Sequence, residues 1–277
     1  MKKGILAASL AFLLPILLCF VFLAAPLRAE TSRRVVILSP DVAEIVVALQ
    51  GEATVIGKES FTKAPTLAHA KNIGLFRNLT AEPIVALKPD LVLGSYMAHP
   101  ASIYAQLEKS GLVAVNVAPE DTPEDFFRAI LDIGRLLGKA EAGEALARQW
   151  REGMSARREN GKRYLLSYDG RYVAGRHTVG DLLIRLAGGI NAAADVEGLK
   201  PLSREGWLMA KPDVVVIAEH NLGVVGGSLA HFAAQPELKN SRAAQNGKIV
   251  TLSATKFLTL SLETPHVVET LRELGAD

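Results

Sequence analysis

The sequence is short of several things, and each shortage closes off a class of function. It has a single cysteine, Cys19, which lies inside the apolar stretch near the start. Once that stretch is removed, the chain can form neither a disulfide nor a thiolate metal site. Charge of one sign is also missing: the formal net charge is +2, and no run of five or six like charges occurs. That argues against a nucleic-acid surface and against an electrostatic tail. Catalytic signatures are absent too. There is no Gly-x-Ser-x-Gly, no His-Glu-x-x-His and no phosphate-binding glycine loop ending in Lys-Ser or Lys-Thr. Gly223-Val224-Val225-Gly226-Gly227 lacks the strand and helix that a dinucleotide loop requires, and the carboxylates are scattered.

What is present is globular. At 277 residues, with 49% hydrophobic and 22% charged residues, the chain is long enough for two domains of ordinary size. Met1-Lys2-Lys3 and the apolar run from Ile5 to Ala25, ending near Pro26-Leu27-Arg28-Ala29, form the pattern of a secretory signal cleaved after Ala29. The same run is long enough to span a bilayer, so it could instead be retained as an anchor. No second such run follows, and the expectation is an exported soluble protein.

One stretch occurs twice. Thr80-Ala81-Glu82 leads through Lys88-Pro89-Asp90 to the apolar run starting at Leu91. Ser203-Arg204-Glu205 leads through Lys211-Pro212-Asp213 to the run starting at Val214, at an ungapped offset of 123 residues. In both copies the hydroxyl residue reads as a helix cap and the glutamate as a first-turn partner of the helix dipole. The proline stops the helix, and the apolar run reads as a strand buried on both faces. Two copies in register imply two lobes of similar build. Each glutamate alone reads as an exposed, dipole-complementing residue. Paired at equivalent places on two lobes, Glu82 and Glu205 suit two arginine-bearing pockets on a symmetric partner.

Along the chain, strands and helices alternate. Arg34 to Leu38 reads as a strand, Val42 to Leu49 as a helix opened by Ser39 and Pro40, and Thr54 to Ile56 as a strand. A polar stretch from Lys58 to Asn78 follows, long enough to be functional or mobile. A helix opened by Thr122-Pro123 runs to Leu137, and a second is expected from Ala140 to about Arg158, able to bridge the lobes. The organisation is thus a signal at 1–29, an N-terminal α/β lobe at 30–122, a helical connector at 123–160 and a C-terminal α/β lobe at 161–277. The fold class is α/β, with two Rossmann-like lobes, parallel sheets, a long rigid connecting helix and a ligand cleft between the lobes.

Ligands collect at the carboxyl ends of parallel strands. That rule selects the loops Ser39 to Asp41, Ser95 to His99, Tyr168 to His177, His220 to Gly227 and Ala254 to Leu258. Two of them carry tyrosine and histidine: Tyr96 and His99 in one, Tyr168, Tyr172 and His177 in the other, the latter with Arg171 and Arg176. Tyrosinate and imidazole ligate ferric haem iron, and arginine forks suit carboxylates such as propionates. A loop tyrosine is more often a packing residue. His69, His220, His231 and His266 have no partner at metal-ligand spacing, and no role is assigned to them.

With these residues in view, the chain resembles the periplasmic solute-binding proteins that deliver vitamin B12, ferric siderophores or haem to ABC importers. The resemblance rests on Val35-Val36-Ile37-Leu38-Ser39-Pro40 with Glu44-Ile45, on Ile84 through Leu93, and on Lys211-Pro212-Asp213. Within that family Asn72 through Glu82 and Ala174 through Asn191 are similar to the haem-binding branch, with Arg77 in the first stretch. The branch places its iron-ligating tyrosine where this chain has Leu75, which cannot ligate. The resemblance implies a non-catalytic, periplasmic protein that holds haem in the interlobe cleft. Tyr96, His99 and His177 are then candidate iron ligands, and Arg77, Arg171 and Arg176 candidate propionate partners, with Tyr168 and Tyr172 beside them. It implies too that Glu82 and Glu205 contact arginines of an ABC permease dimer in the inner membrane. A ferric siderophore or corrinoid is the rival cargo. Outside the carrier class, the same lobes could serve an enzyme or a cell-surface signalling module.

Overall fold

The computed structural model describes residues 33–276; the expected export signal and Cys19 lie outside the described residues. Strand β1 (Val35–Ile37) runs into helix α1 (Pro40–Ala48), with Pro40 at the first helical position. Ser39 is extended, but its hydroxyl makes no cap bond. It lies 3.2 Å from Ser95 Oγ, which donates to Asp41 Oδ1 at 2.9 Å. Next come β2 (Val55–Lys58), β3 (Lys71–Asn72), α2 (Ala81–Val85), β4 (Leu91–Ser95), α3 (Ile103–Lys109) and β5 (Ala114–Ala118). The strands form a sheet of order β3-β2-β1-β4-β5, parallel throughout, and its two inner apolar runs, β1 and β4, are wholly buried.

The connector differs from a single rod. Helices α4 (Pro123–Leu136) and α5 (Ala140–Gly153) fold back on each other about Gly138, whose φ of +71° L side chains rarely adopt. Their crossing is close: a Cβ on Gly134 would come within 2.9 Å of the Gly143 Cα. The second helix ends at Gly153, short of Arg158. Thr122 caps the first, its hydroxyl accepting from Asp125 N at 3.2 Å.

The second lobe comprises β6 (Arg163–Ser167), β7 (Tyr172–Ala174), α6 (Val179–Leu186), β8 (Ile190–Asn191), β9 (Leu199–Pro201), α7 (Arg204–Ala210), β10 (Val214–Ala218), α8 (Leu229–Ala233), α9 (Arg242–Gln245), β11 (Ile249–Leu252), α10 (Ala254–Leu258) and α11 (Thr264–Gly275). Its sheet is mixed rather than wholly parallel: β11, β10, β6 and β8 run parallel, and β7 alone is reversed, antiparallel to both of its neighbours, β6 and β9. The reversal is local chemistry. Asp169 Oδ1 accepts from both Arg171 N (2.9 Å) and Tyr172 N (2.7 Å), and Gly170 takes φ +82°, so β6 turns straight into β7.

The repeated unit has the same frame in both lobes. Lys88 and Lys211, each before a proline, adopt left-handed φ values of 48° and 42°. That satisfies the proline's exclusion of the right-handed helical region; Lys211 is also the C-cap of α7, whereas α2 has already ended at Val85, with Ala86 as its C-cap. Asp90 Oδ2 accepts from Arg34 N, and Asp213 Oδ2 from Arg163 N, both at 2.8 Å. The same arginines return side-chain bonds to the helix ends, Arg34 to Leu87 O and Arg163 to Ala210 O, each at 2.8 Å. The hydroxyls differ, since Ser203 accepts from Gly206 N at 3.1 Å while Thr80 makes no cap bond.

One buried apolar cluster passes through both lobes and the connector, including Val35, Ile37, Ile130, Trp150, Leu166 and Leu271. Trp150 Nε1 donates to Ser261 O at 2.8 Å. Glu44 Oε2 accepts from Leu262 N (3.2 Å), and Asp121 Oδ1 from Leu260 N (3.3 Å). The lobes are thus stitched together along residues 260–262, and parting them would expose shared core at about 25 cal/mol per Å².

Candidate ligand-binding cleft

A cavity of about 620 Å³ lies between the lobes, within the range of small-molecule and cofactor sites. Each of the loops selected by the strand-end rule contributes: Asp41 after β1, Met97 after β4, Tyr168 after β6, His220 after β10 and Lys256 after β11. The polar stretch before α2 adds Phe61, Leu75, Phe76 and Arg77.

The two walls differ in chemistry. The N-terminal wall is largely apolar. Phe61 and Phe76 meet edge to face at 5.7 Å, and the Arg77 guanidinium sits 5.2 Å from the centre of the Phe76 ring. Phe61 is presented by a turn closed on the buried Glu59, whose carboxylate accepts from Phe61 N and Thr62 N. Leu75 is 44% exposed, directed at the cavity where a large apolar side chain has nothing of its own to pack against. The C-terminal wall carries a polar pair: Tyr168 Oη and His220 Nε2 are 3.3 Å apart, with ring centres at 5.4 Å. Lys256 stands near Glu263 on the same side, at 3.8 Å.

Beneath the cavity lies a buried acidic floor. Desolvation raises the Asp41 carboxyl above its ordinary range, against the pull of its bonds to Ser39 and Ser95. Desolvation likewise pushes Glu44 up to about 7, with the Leu262 amide acting in the opposite sense and Glu263 and Asp41 adding repulsion. Asp121 is raised by burial as well.

Of the residues selected from sequence, Arg77 and Tyr168 line the cavity. Tyr96 does not. Its phenol is hydrogen-bonded to Asp121, and burial first, then that carboxylate, raise its pKa far above the ordinary value, which disfavours a phenolate there. His99 is exposed, and its backbone does the visible work: its N donates to Phe76 O (2.7 Å) and its O accepts from Leu79 N (2.8 Å), pinning the loop that carries Leu75 to Arg77. Arg171, Tyr172, Arg176 and His177 are exposed outside the cavity lining, with Arg171 against the Tyr172 ring at 5.8 Å. Glu82 and Glu205 are exposed in the first turns of α2 and α7, without an ion pair to any described residue.

Sequence reasoning passed over His220. It looked for partners at metal-ligand spacing, whereas this one is 52 residues away on another strand. The usable signal was its place immediately after β10, at the carboxyl edge of the sheet. Among the described residues no cluster of three or more His, Cys, Asp or Glu is arranged to hold a bare metal ion, and no helix is long and apolar enough to cross a membrane.

Two α/β lobes with a mixed-polarity cleft at their strand ends are the architecture of a solute-binding protein. Residues 35–255 match the periplasmic binding protein family, and the chain belongs to it. Among solved structures it is similar to the periplasmic haem-binding protein RhuT of Roseiflexus sp. RS-1 in its apo form. The two share 32% identity and a TM-score of 0.77, covering 88% of this chain and 98% of that one. The haem-binding protein HutB of Vibrio cholerae is also similar, at 26% identity and a TM-score of 0.76, covering 88% and 99%. Among curated proteins, a cobalamin-binding protein of Halobacterium salinarum is 26% identical over 258 residues, 87% of this chain and 68% of that protein. The relatives thus divide between haem and cobalamin.

Proposed function

We propose that this chain is the periplasmic carrier of an ABC importer, that its cargo is haem, and that it performs no covalent chemistry on it. The observation that carries the reading is the cavity itself, with aromatic and aliphatic walls for a flat macrocycle and cationic Arg77 and Lys256 for its carboxylates. Haem presents two carboxylates, whereas a corrinoid presents amides and a bulky nucleotide tail. The greater similarity to RhuT points the same way. Arg77 and Tyr168 are the contacts carried forward. Glu82 and Glu205, exposed at matching places on the two lobes, dock the permease dimer of the inner membrane. An N-terminal signal delivers the chain to the periplasm.

A binding panel tests the cargo. Hemin should give a saturable Soret change and raise the unfolding temperature, by the equivalent of about 2.7 kcal/mol at a hundredfold excess over Kd. Cobalamin, the reading favoured by the curated relatives, should give neither. Stabilisation by cobalamin and not by hemin overturns the assignment.

A further inference from the structure

We infer that the metal ligand of this carrier comes from the C-terminal wall: Tyr168 Oη binds the iron of a ferric tetrapyrrole as phenolate, and His220 is its hydrogen-bonded proton acceptor. The inference rests on the haem reading above and adds to it the ligating atom, the wall it comes from and the residue that tunes it.

The N-terminal wall offers little to ferric iron. Leu75 is directed at the cavity and has no donor atom, and neither have Phe61 and Phe76. Met97 has a thioether, a soft donor that matches a ferric ion less well than an anionic oxygen. The cavity carboxylates are engaged elsewhere: Asp41 with Ser95, Glu44 with the Leu262 amide and Glu263 with Lys256. Tyr168 and His220 are different. Within the cavity the phenol and the imidazole are bonded to each other and to no other described side chain.

The pair is also held in place. Tyr168 immediately follows β6, its N donating to Tyr172 O (2.8 Å) and its O accepting from Asn221 Nδ2 (2.8 Å). Asn221 follows His220, so a single side-chain bond ties the loops bearing the two ligand-forming residues. The rings meet edge to face at 65°. Such fixed placement lowers the ordering cost of coordination.

The proton balance closes within the pair. With the imidazole proton on Nδ1, Nε2 accepts the phenolic proton as the O–H bond breaks, the N–H bond forms and the phenolate oxygen bonds to iron. The resulting imidazolium keeps a hydrogen bond to the bound oxygen. A partner of this kind orients a ligand and sets its basicity.

The purified protein, loaded with hemin, is examined by visible absorption and resonance Raman spectroscopy beside Tyr168→Phe and His220→Gln. Wild type should show phenolate-to-iron charge transfer, and Tyr168→Phe should lose it. His220→Gln should keep it with a shifted band and about a tenfold loss of affinity. His220 stands on an exposed turn, so its variant remains informative even where Tyr168→Phe folds poorly. A wild-type complex without the phenolate signature overturns the inference while leaving the haem cargo intact, as does a Tyr168→Phe complex that keeps the signature. An unaltered His220→Gln spectrum overturns the pairing. Failure of wild type to bind hemin at all removes the cargo reading and the inference with it.

Discussion

The two copies of the repeated unit are alike where they build the frame and unlike where they meet solvent and cargo. In both, a left-handed lysine precedes the proline at the entry to the strand, and an Asp–Arg clamp joins the incoming strand to the neighbouring one. Away from that frame the lobes diverge. The hydroxyl of Ser203 caps its helix and that of Thr80 does not; the N-terminal strand ends carry aliphatic and aromatic side chains into the cleft, and the C-terminal ends carry Tyr168 and His220. The two copies thus share one backbone solution for entering a buried strand. The cleft faces were free to diverge, because only cargo constrains them.

The strongest test of the likeness is function across both lobes at once. Reversing Glu82 and Glu205 together to arginine should abolish import measured in vesicles containing the permease, while hemin affinity stays at its wild-type value. Transport unchanged by the double reversal would remove the symmetric docking role.

The seam is where the likeness fails, because N-terminal carboxylates reach across to backbone amides of the other lobe. Burial lifts Glu44 from its ordinary 4.5 to about 7. The folded protein therefore binds this proton more tightly than the unfolded chain does. The resulting stability is fully present below the unfolded value and is lost as pH rises through about 7. Glu44→Gln should flatten that decline in denaturant titrations and stabilise the protein above neutrality by at most about 3 kcal/mol. A wild-type pH profile that Gln leaves unchanged would locate the slope elsewhere.

The clamps should separate by burial. Asp213 is 13% exposed at its side chain and Asp90 is open to solvent. Asp213→Ala is expected to cost about 2 to 3 kcal/mol and Asp90→Ala about 1 kcal/mol, because water replaces the lost acceptor more readily at the surface. Equal midpoint shifts in urea would contradict that ordering. The smallest contrast is at the caps: Ser203→Ala should lose about 1 kcal/mol and Thr80→Ala only a few tenths, following the bond present in one and absent in the other.

Much of the frame could be read in advance. The apolar β-branched runs located the central strands that start at Leu91 and Val214. Thr122 and Pro123 marked the start of the first connector helix, and its expected end at Leu137 is the C-cap observed. That the second helix folds back on the first depends on Gly134 fitting against Gly143, a contact between turns that no local pattern encodes. The antiparallel β7 was hidden similarly, in a loop whose Asp169 and Gly170 were visible as turn residues but whose onward strand is only three residues long.

The sequence by itself determined that there are two α/β lobes, which loops end at their strand edges, and that two glutamates occupy equivalent positions, because these follow from local periodicity, turn chemistry and duplication. Only the tertiary structure decided which tyrosine and which histidine meet. Tyr96 is drawn to Asp121, while Tyr168 finds His220 across the sheet. Side chains that converge from separate strands carry no spacing rule in one dimension, and their environment, buried or open to the cleft, exists only once the lobes have packed.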